Sequence, residues 1–167
     1  MIQPNRNTAW TTAFVLILGG EASLPGVLAA DSTANLRDGV MLCGDSASEC
    51  YDPVSYFTAS KPEKGRPEFT AEGDGLKFRF SSEAHRIEFL KNPRRYMPAY
   101  EGWCATAVAN GDKVKIDPLN FKVTDGRLFL FYPKSFFADA RKKWVEDEAV
   151  QTKRADQNWP KVRLSRE

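Results

Sequence analysis

Residues 76–96 constrain the fold most strongly, because a strand pattern runs directly into a helix pattern there. The hydroxyl of Ser81 or Ser82 can cap this helix, and Pro93 ends it about three turns later. His85, the only histidine of the chain, is therefore predicted in the first turn of a short helix that leaves a strand. The apolar residues of that strand alternate with basic ones, as in a strand with one buried face, and are Leu76, Phe78 and Phe80.

Two hairpins are predicted from the turn residues. Residues 69–72 and 76–80 flank a Gly-Asp-Gly turn, and residues 121–124 and 127–132 flank Asp125-Gly126, the strongest short hairpin signal in the chain. The second strand of the latter hairpin is apolar on both faces, which indicates a central strand that is covered on both sides.

The helices complete an α+β prediction: a small antiparallel sheet of hairpins packed with short helices and a C-terminal helix. Asp52 can cap a helical turn that begins at Pro53. Small residues over 102–110 favour a closely packed helix that ends at Gly111. Ser135 can cap the last helix, whose apolar stripe is Phe137, Ala140 and Trp144.

The order of short motifs around His85 resembles the YHS domain family, a small module related to the cysteine-rich TRASH metal-binding domains. Ser55, Ser81 and His85 stand where the metal-binding members of that family carry cysteines. Because a hydroxyl is a poor ligand for a soft metal and imidazole is a good one, the resemblance implies a YHS-like fold with a degenerate ligand set. The residues that match the family pattern are Asp52, Pro53, Val54, Phe80, Ser82, Phe89, Pro93 and Tyr96.

Further motifs are similar to the stand-alone, exported subgroup of the family. The similarity runs from about Tyr51 to Trp159, which implies a YHS-like domain over residues 51–160 and a tail over residues 161–167. These motifs are Pro98, Tyr100, Gly102-Trp103-Cys104-Ala105, Asp117-Pro118, Asp125-Gly126-Arg127-Leu128 and Trp159-Pro160.

Residues 1–30 have the layout of a secretory signal peptide. Arg6 lies in a polar lead, residues 13–20 are apolar but too few to span a bilayer, and residues 27–30 offer small side chains for cleavage. This predicts a periplasmic or secreted protein without stable membrane insertion after cleavage. The alternative is an apolar N-terminal helix that stays attached.

Residues 31–50 are predicted to be an N-terminal extension with a short helix over residues 34–42. Cys43 and Cys50 are close enough in sequence for a short loop to close, and an oxidising compartment favours a disulfide between them. A loop metal site and two free thiols are the competing interpretations.

The near-balanced charge of the chain excludes the strongly basic composition that is typical of nucleic-acid-binding proteins. The chain has 24 basic and 22 acidic residues, and its net charge of +2 is unchanged without residues 1–30, which carry only Arg6 and Glu21. Basic and acidic residues alternate through residues 134–156, which indicates a solvated helix face.

His85 and Cys104 are the candidate metal ligands. His85 can bind a metal or haem iron, or it can be a packed or capping side chain. Cys104 can be a soft-metal ligand or reactive thiol, or an inert core cysteine among small apolar neighbours. One imidazole and one thiolate suit copper, whereas structural zinc normally takes four ligands.

The motifs point away from catalysis. The sequence has no glycine-rich phosphate loop, His-Glu-x-x-His or Cys-x-x-Cys pattern, and a Cys104–His85 thiol enzyme is the least favoured interpretation. Two function classes remain: an exported, non-catalytic module that binds a transition metal or small ligand between the helices of His85 and Cys104, and a structural or interaction domain that has lost metal binding. The sequence identifies no protein partner.

Overall fold

A computed structural model describes residues 33–45, 48–59, 61–134 and 139–165 of the chain. The described residues form the predicted α+β fold, in which the two hairpins are separate two-stranded antiparallel sheets surrounded by helices. In chain order the elements are α1 Ser55–Thr58, β1 Arg66–Gly73, β2 Leu76–Phe80, α2 Glu83–Lys91, α3 Pro93–Tyr96, a 3-10 helix Ala99–Gly102, α4 Ala105–Asn110, β3 Asp117–Thr124, β4 Arg127–Phe131, α5 Ala140–Glu146 and α6 Glu148–Leu164.

The predicted strand-to-helix junction is present. β2 pairs with β1 and buries Phe78 and Phe80 completely. Ser82 then caps α2, because its Oγ accepts a hydrogen bond of 3.2 Å from the backbone nitrogen of His85. This cap fixes His85 in the first turn of α2, directly beyond the end of β2.

The second hairpin supplies the central strand that the sequence predicts. Its turn residues Asp125 and Gly126 have φ values of 51° and 72°, the left-handed conformation that an Asp-Gly turn requires. β4 is almost fully buried, and isolated bridges pair Leu128 with Pro98 and Leu130 with Cys104. The segment that leads into α4 therefore runs beside β4 and covers it.

The core helix is α4, which lies against α6. Residues 105–109 are all buried, and on the facing side of α6 Ala155 and Val162 are buried as well. Asn158 also donates hydrogen bonds to the carbonyl oxygens of Val108 (3.2 Å) and Ala109 (3.0 Å) near the end of α4. α6 continues to residue 164, so the residues around Trp159 and most of the predicted tail are helical.

The short helix predicted over residues 34–42 is wrong. Arg37 and Val40 exchange two backbone hydrogen bonds of 2.9 and 3.0 Å around a turn at Asp38 and Gly39. These turn residues have φ values of 49° and 76°, which a helix does not allow. The extension instead runs beside β2, where the backbone nitrogen of Met41 donates to the carbonyl oxygen of Lys77.

Some predictions lie outside the described residues. These are the signal peptide at residues 1–30 and the stripe role of Phe137. The predicted cap at Ser135 is wrong, because the helix that carries Ala140 and Trp144 begins at Ala140 and is capped by Asp139, whose side chain accepts from the backbone nitrogen of Lys142; α6 follows it as the last helix. In the part of the chain that is described, no helix is both long and apolar enough to cross a bilayer.

Candidate functional site

The site is built around Asp52, which is completely buried. The backbone nitrogen of Asp52 donates to the carbonyl oxygen of Glu63 (2.9 Å), and that of Gly65 donates to the carbonyl oxygen of Cys50 (2.8 Å). Asp52 Oδ1 accepts a hydrogen bond of 2.8 Å from the backbone nitrogen of Val54 in the turn that precedes α1. The helical turn predicted from Pro53 begins instead at Ser55, and its N-cap is Val54 without a side-chain capping bond, so Asp52 stabilises the preceding turn and is not the N-cap.

The second carboxylate oxygen of Asp52 joins β2 and α2 to this segment. Oδ2 accepts hydrogen bonds from the Ser81 backbone nitrogen at 2.9 Å and from Ser81 Oγ at 2.8 Å. His85 Nδ1 lies only 2.6 Å from the same oxygen. With the Val54 bond, four donors therefore surround the carboxylate, which satisfies it in its buried position.

The contact with Asp52 determines which nitrogen of His85 is available. A carboxylate is an acceptor, so Nδ1 donates its proton to Asp52, and Nε2 of the neutral imidazole then carries the free lone pair. The His85 side chain is 25% exposed. A histidine whose one nitrogen donates to a carboxylate while the other is free has the arrangement that proteins commonly use at metal sites.

Glu63 provides a further donor beside this pair. One ligand atom from each of Asp52, Glu63 and His85 lies within 4.8 Å of the other two. Ser55 holds Glu63 in place, because its Oγ accepts from the Glu63 backbone nitrogen (2.9 Å) and donates to the Asp52 carbonyl oxygen (2.7 Å). Within the described ranges, no hydrogen bond or ion pair involves the Glu63 carboxylate, which is exposed.

The donor set fits some metals and not others. The hydroxyls of Ser55 and Ser81 are engaged in hydrogen bonds, and no sulfur belongs to the group, so the site does not fit a soft ion such as Cu(I). Imidazole nitrogen and carboxylate oxygen instead fit a borderline divalent ion such as Cu(II) or Zn(II). Because Asp52 and Nδ1 are hydrogen-bonded to each other, such an ion fits on the Nε2 side of His85.

Cys104 lies elsewhere in the core. It is completely buried at the start of α4, and burial raises the pKa of its thiol although hydrogen bonds with the backbone of Ala107, Tyr132 and Thr106 act in the opposite direction. No hydrogen bond joins Cys104 to His85, and Cys104 does not belong to the group of possible ligands around Asp52. The structure thus does not assemble the copper pair or the thiolate–imidazole pair that the sequence suggested.

The predicted disulfide is present. The sulfur atoms of Cys43 and Cys50 are 2.00 Å apart, and Cys104 is a free cysteine. Cys50 precedes Asp52 by two residues, so the disulfide is attached to the chain directly before the residue that carries the buried carboxylate.

An open groove of about 930 Å³ lies between β4 and α6, and its lining includes Arg127, Phe129, Glu148 and Lys153. It includes neither His85 nor Cys104, so it is not the cleft predicted between their helices.

No protein-family model, curated protein or solved structure matches this chain.

Proposed function

We propose that this chain is an exported, non-catalytic module of the YHS type that binds one divalent transition-metal ion at His85. The observation that carries the proposal is an imidazole that is one-quarter exposed and whose Nδ1 is held by the buried Asp52, which leaves Nε2 as the nitrogen for a ligand. A partner on Nδ1 fixes the orientation and tautomer of a ligating histidine and raises its basicity.

The positions that carry cysteines in metal-binding members of the family support this proposal. Ser55, Ser81 and His85 are all joined by hydrogen bonds to Asp52, one through its backbone and two through its carboxylate. In this chain the two serines hold the acid, and the histidine keeps a free donor atom. A Glu63 carboxylate oxygen lies within 4.8 Å of a ring nitrogen of His85 and would supply the second donor. Cu(II) is the ion that nitrogen and oxygen ligands bind most tightly among the common divalent metals.

Isothermal titration of the untagged, demetallated protein with Cu(II) and Zn(II) tests the proposal. We expect one Cu(II) per chain, tighter than Zn(II), with binding lost in His85→Ala and weakened in Glu63→Gln. Cys104→Ser is the matched control, because it removes the other predicted ligand and should leave binding unchanged. Binding that survives His85→Ala would place the site elsewhere and refute the assignment.

The second candidate function is a structural or interaction domain. It is favoured by the four hydrogen bonds that satisfy Asp52 without any ion. If neither metal binds in the titration, this second function is the better one.

Export is supported by the Cys43–Cys50 disulfide, because such bonds persist in oxidising compartments. Mass spectrometry of the exported protein should find its first residue near Ala30 or Asp31. An intact Met1 on a cytoplasmic protein would contradict the proposed localisation.

A further inference from the structure

The segment that carries Asp52 is the middle one of three extended segments. On one side, residues 63–65 pair with residues 50–52 through the hydrogen bonds of Glu63 and Gly65. On the other side, the backbone nitrogen of Tyr51 donates to the carbonyl oxygen of Leu42 (3.0 Å), and Cys43 and Cys50 form an antiparallel bridge. None of these contacts belongs to a regular strand, so each side depends on a few isolated hydrogen bonds.

The disulfide is the covalent part of this arrangement. It joins residue 43 of the outer segment to residue 50 of the middle segment, next to the Tyr51–Leu42 hydrogen bond. From Cys50 the chain reaches Asp52 within two residues, and the Asp52 carboxylate contacts Ser81 and His85. The position of the carboxylate therefore depends on a segment that the disulfide holds in place.

We infer that the Cys43–Cys50 disulfide positions Asp52 for His85, so that reduction by a dithiol weakens the His85 site. With the cross-link broken, residues 50–52 can move away from residues 42–44. The hydrogen bond of 2.6 Å between Asp52 and Nδ1 then loses its fixed acceptor. Ser81 Oγ also lies 3.2 Å from Nδ1, but a hydroxyl can donate as well as accept, so this contact alone does not fix the tautomer of the imidazole. Cys43 and Cys50 are thus positioning residues that act on His85 through Asp52.

The reduction step is ordinary thiol–disulfide exchange. A thiolate of the dithiol attacks Cys43, whose side chain is partly exposed, whereas Cys50 is completely buried. The S–S bond breaks, Cys50 leaves as a thiolate and takes up a proton, and a mixed disulfide forms on Cys43. The second thiol of the reductant displaces Cys43, so the protein gains two electrons and two protons and the reductant becomes a cyclic disulfide.

The disulfide would therefore make metal binding at His85 depend on the redox state of the compartment that contains the protein. The metal-binding part of the inference rests on the function proposed above, whereas the coupling of the disulfide to the Asp52–His85 contact does not. In a reducing cytoplasm the thiols stay reduced and the site is weak, whereas in an oxidising compartment the disulfide forms and His85 is aligned.

The experiment compares the wild-type protein with the double variant Cys43→Ser/Cys50→Ser, and Cys104→Ser is the matched control. Since His85 is the only histidine, its ring nitrogens give unambiguous NMR signals, and these report the tautomer directly. We expect the Nδ1–H tautomer in the wild type and in Cys104→Ser, and its loss in the double variant. Wild type treated with a dithiol in the absence of metal should show the same loss, reversed on reoxidation.

Cu(II) titration of the same proteins, without any reductant present, is the second readout. We expect the double variant to bind about tenfold more weakly than the wild type, as when a partner of a ligating histidine is removed. An unchanged tautomer in both the double variant and the reduced wild type would overturn the inference.

Circular dichroism of the double variant and of the reduced wild type separates a local effect from unfolding. If the double variant and the reduced wild type both unfold, the inference is also overturned, because the disulfide would then stabilise the whole fold and not the Asp52–His85 contact alone. If the oxidised wild type binds no copper, the proposed function fails, whereas the tautomer still decides whether the disulfide positions the pair.

Discussion

Substitution of Asp52 by alanine is the sharpest test of the site as a buried network. The change removes the acceptor of four hydrogen bonds, whose donors belong to Val54, Ser81 and His85. At about 1.5 kcal/mol for each hydrogen bond to a charged group, the expected loss in the free energy of unfolding is about 6 kcal/mol. A domain of this size is typically stable by only about 5–15 kcal/mol, so Asp52→Ala removes a large part of the total.

Asp52→Asn separates the energetic contribution of the Val54 hydrogen bond from the contributions of the hydrogen bonds to Ser81 and His85. The amide oxygen can still accept from Ser81 and His85, but the amide nitrogen then faces the backbone nitrogen of Val54, and two donors meet in a buried place. One unsatisfied buried contact costs about 2 kcal/mol, so Asp52→Asn should lose roughly a third as much as Asp52→Ala. His85 should keep its Nδ1–H tautomer in the asparagine variant and lose it in the alanine variant.

Urea denaturation followed by circular dichroism measures these free energies, and NMR of the single histidine reports the tautomer. Asp112→Ala is the control, because Asp112 is exposed and such substitutions usually change stability by less than about 0.5 kcal/mol. A loss below about 1 kcal/mol in Asp52→Ala, or an unchanged tautomer there, would show that the network does not hold His85.

Three further predictions concern other parts of the fold. A thiol reagent should find one slowly reacting group in the native protein, Cys104, whose pKa is raised by burial; three fast thiols would contradict this. The hydrogen bond from Arg127 lowers the pKa of Asp156, so their pair stabilises the fold at neutral pH and this contribution is lost as the pH falls below about 4. Asp156→Asn should therefore reduce, by about 0.5 kcal/mol, the free energy of unfolding that the protein loses between neutral pH and acid in urea denaturation, whereas an unchanged acid dependence would refute this role. In Gly65→Ala the new Cβ would lie 2.6 Å from the carbonyl oxygen of Arg79, so thermal unfolding should show a loss of about 2 kcal/mol; an unchanged melting temperature would contradict this crowding.

The parts of the fold that depend on neighbouring residues could be predicted from the sequence. The Asp-Gly turn at residue 125, the Ser82 cap and the end of α4 at Gly111 all depend on the conformational preferences of a few adjacent residues. The helix predicted over residues 34–42 failed for a reason of the same kind. It contains Asp38-Gly39, which is itself a turn signal and determines the observed conformation.

The site itself could be predicted only in part. The sequence identifies His85, but it predicts Asp52 only as a helix cap, and the turn bond that Asp52 makes with Val54 involves only one of its two carboxylate oxygens. The other oxygen meets Ser81 and His85, which are 29 and 33 residues away in the chain, and no local pattern encodes that contact. Glu63 lies in a polar stretch with no motif, so only the pairing of its backbone with Asp52 brings it to the site.

The position of α6 against α4 has a consequence for the timing of folding. The buried residues of α4 lack their partner until residues 148–164 have been synthesised, because Ala155 and Val162 lie on the far side of that contact. A ribosome-bound chain that ends before α6 therefore has an uncovered core helix and cannot complete its folding. For a protein exported as proposed above, this delay would keep the nascent polypeptide incompletely folded, and thus able to pass through a narrow translocation channel, until residues 148–164 have been made.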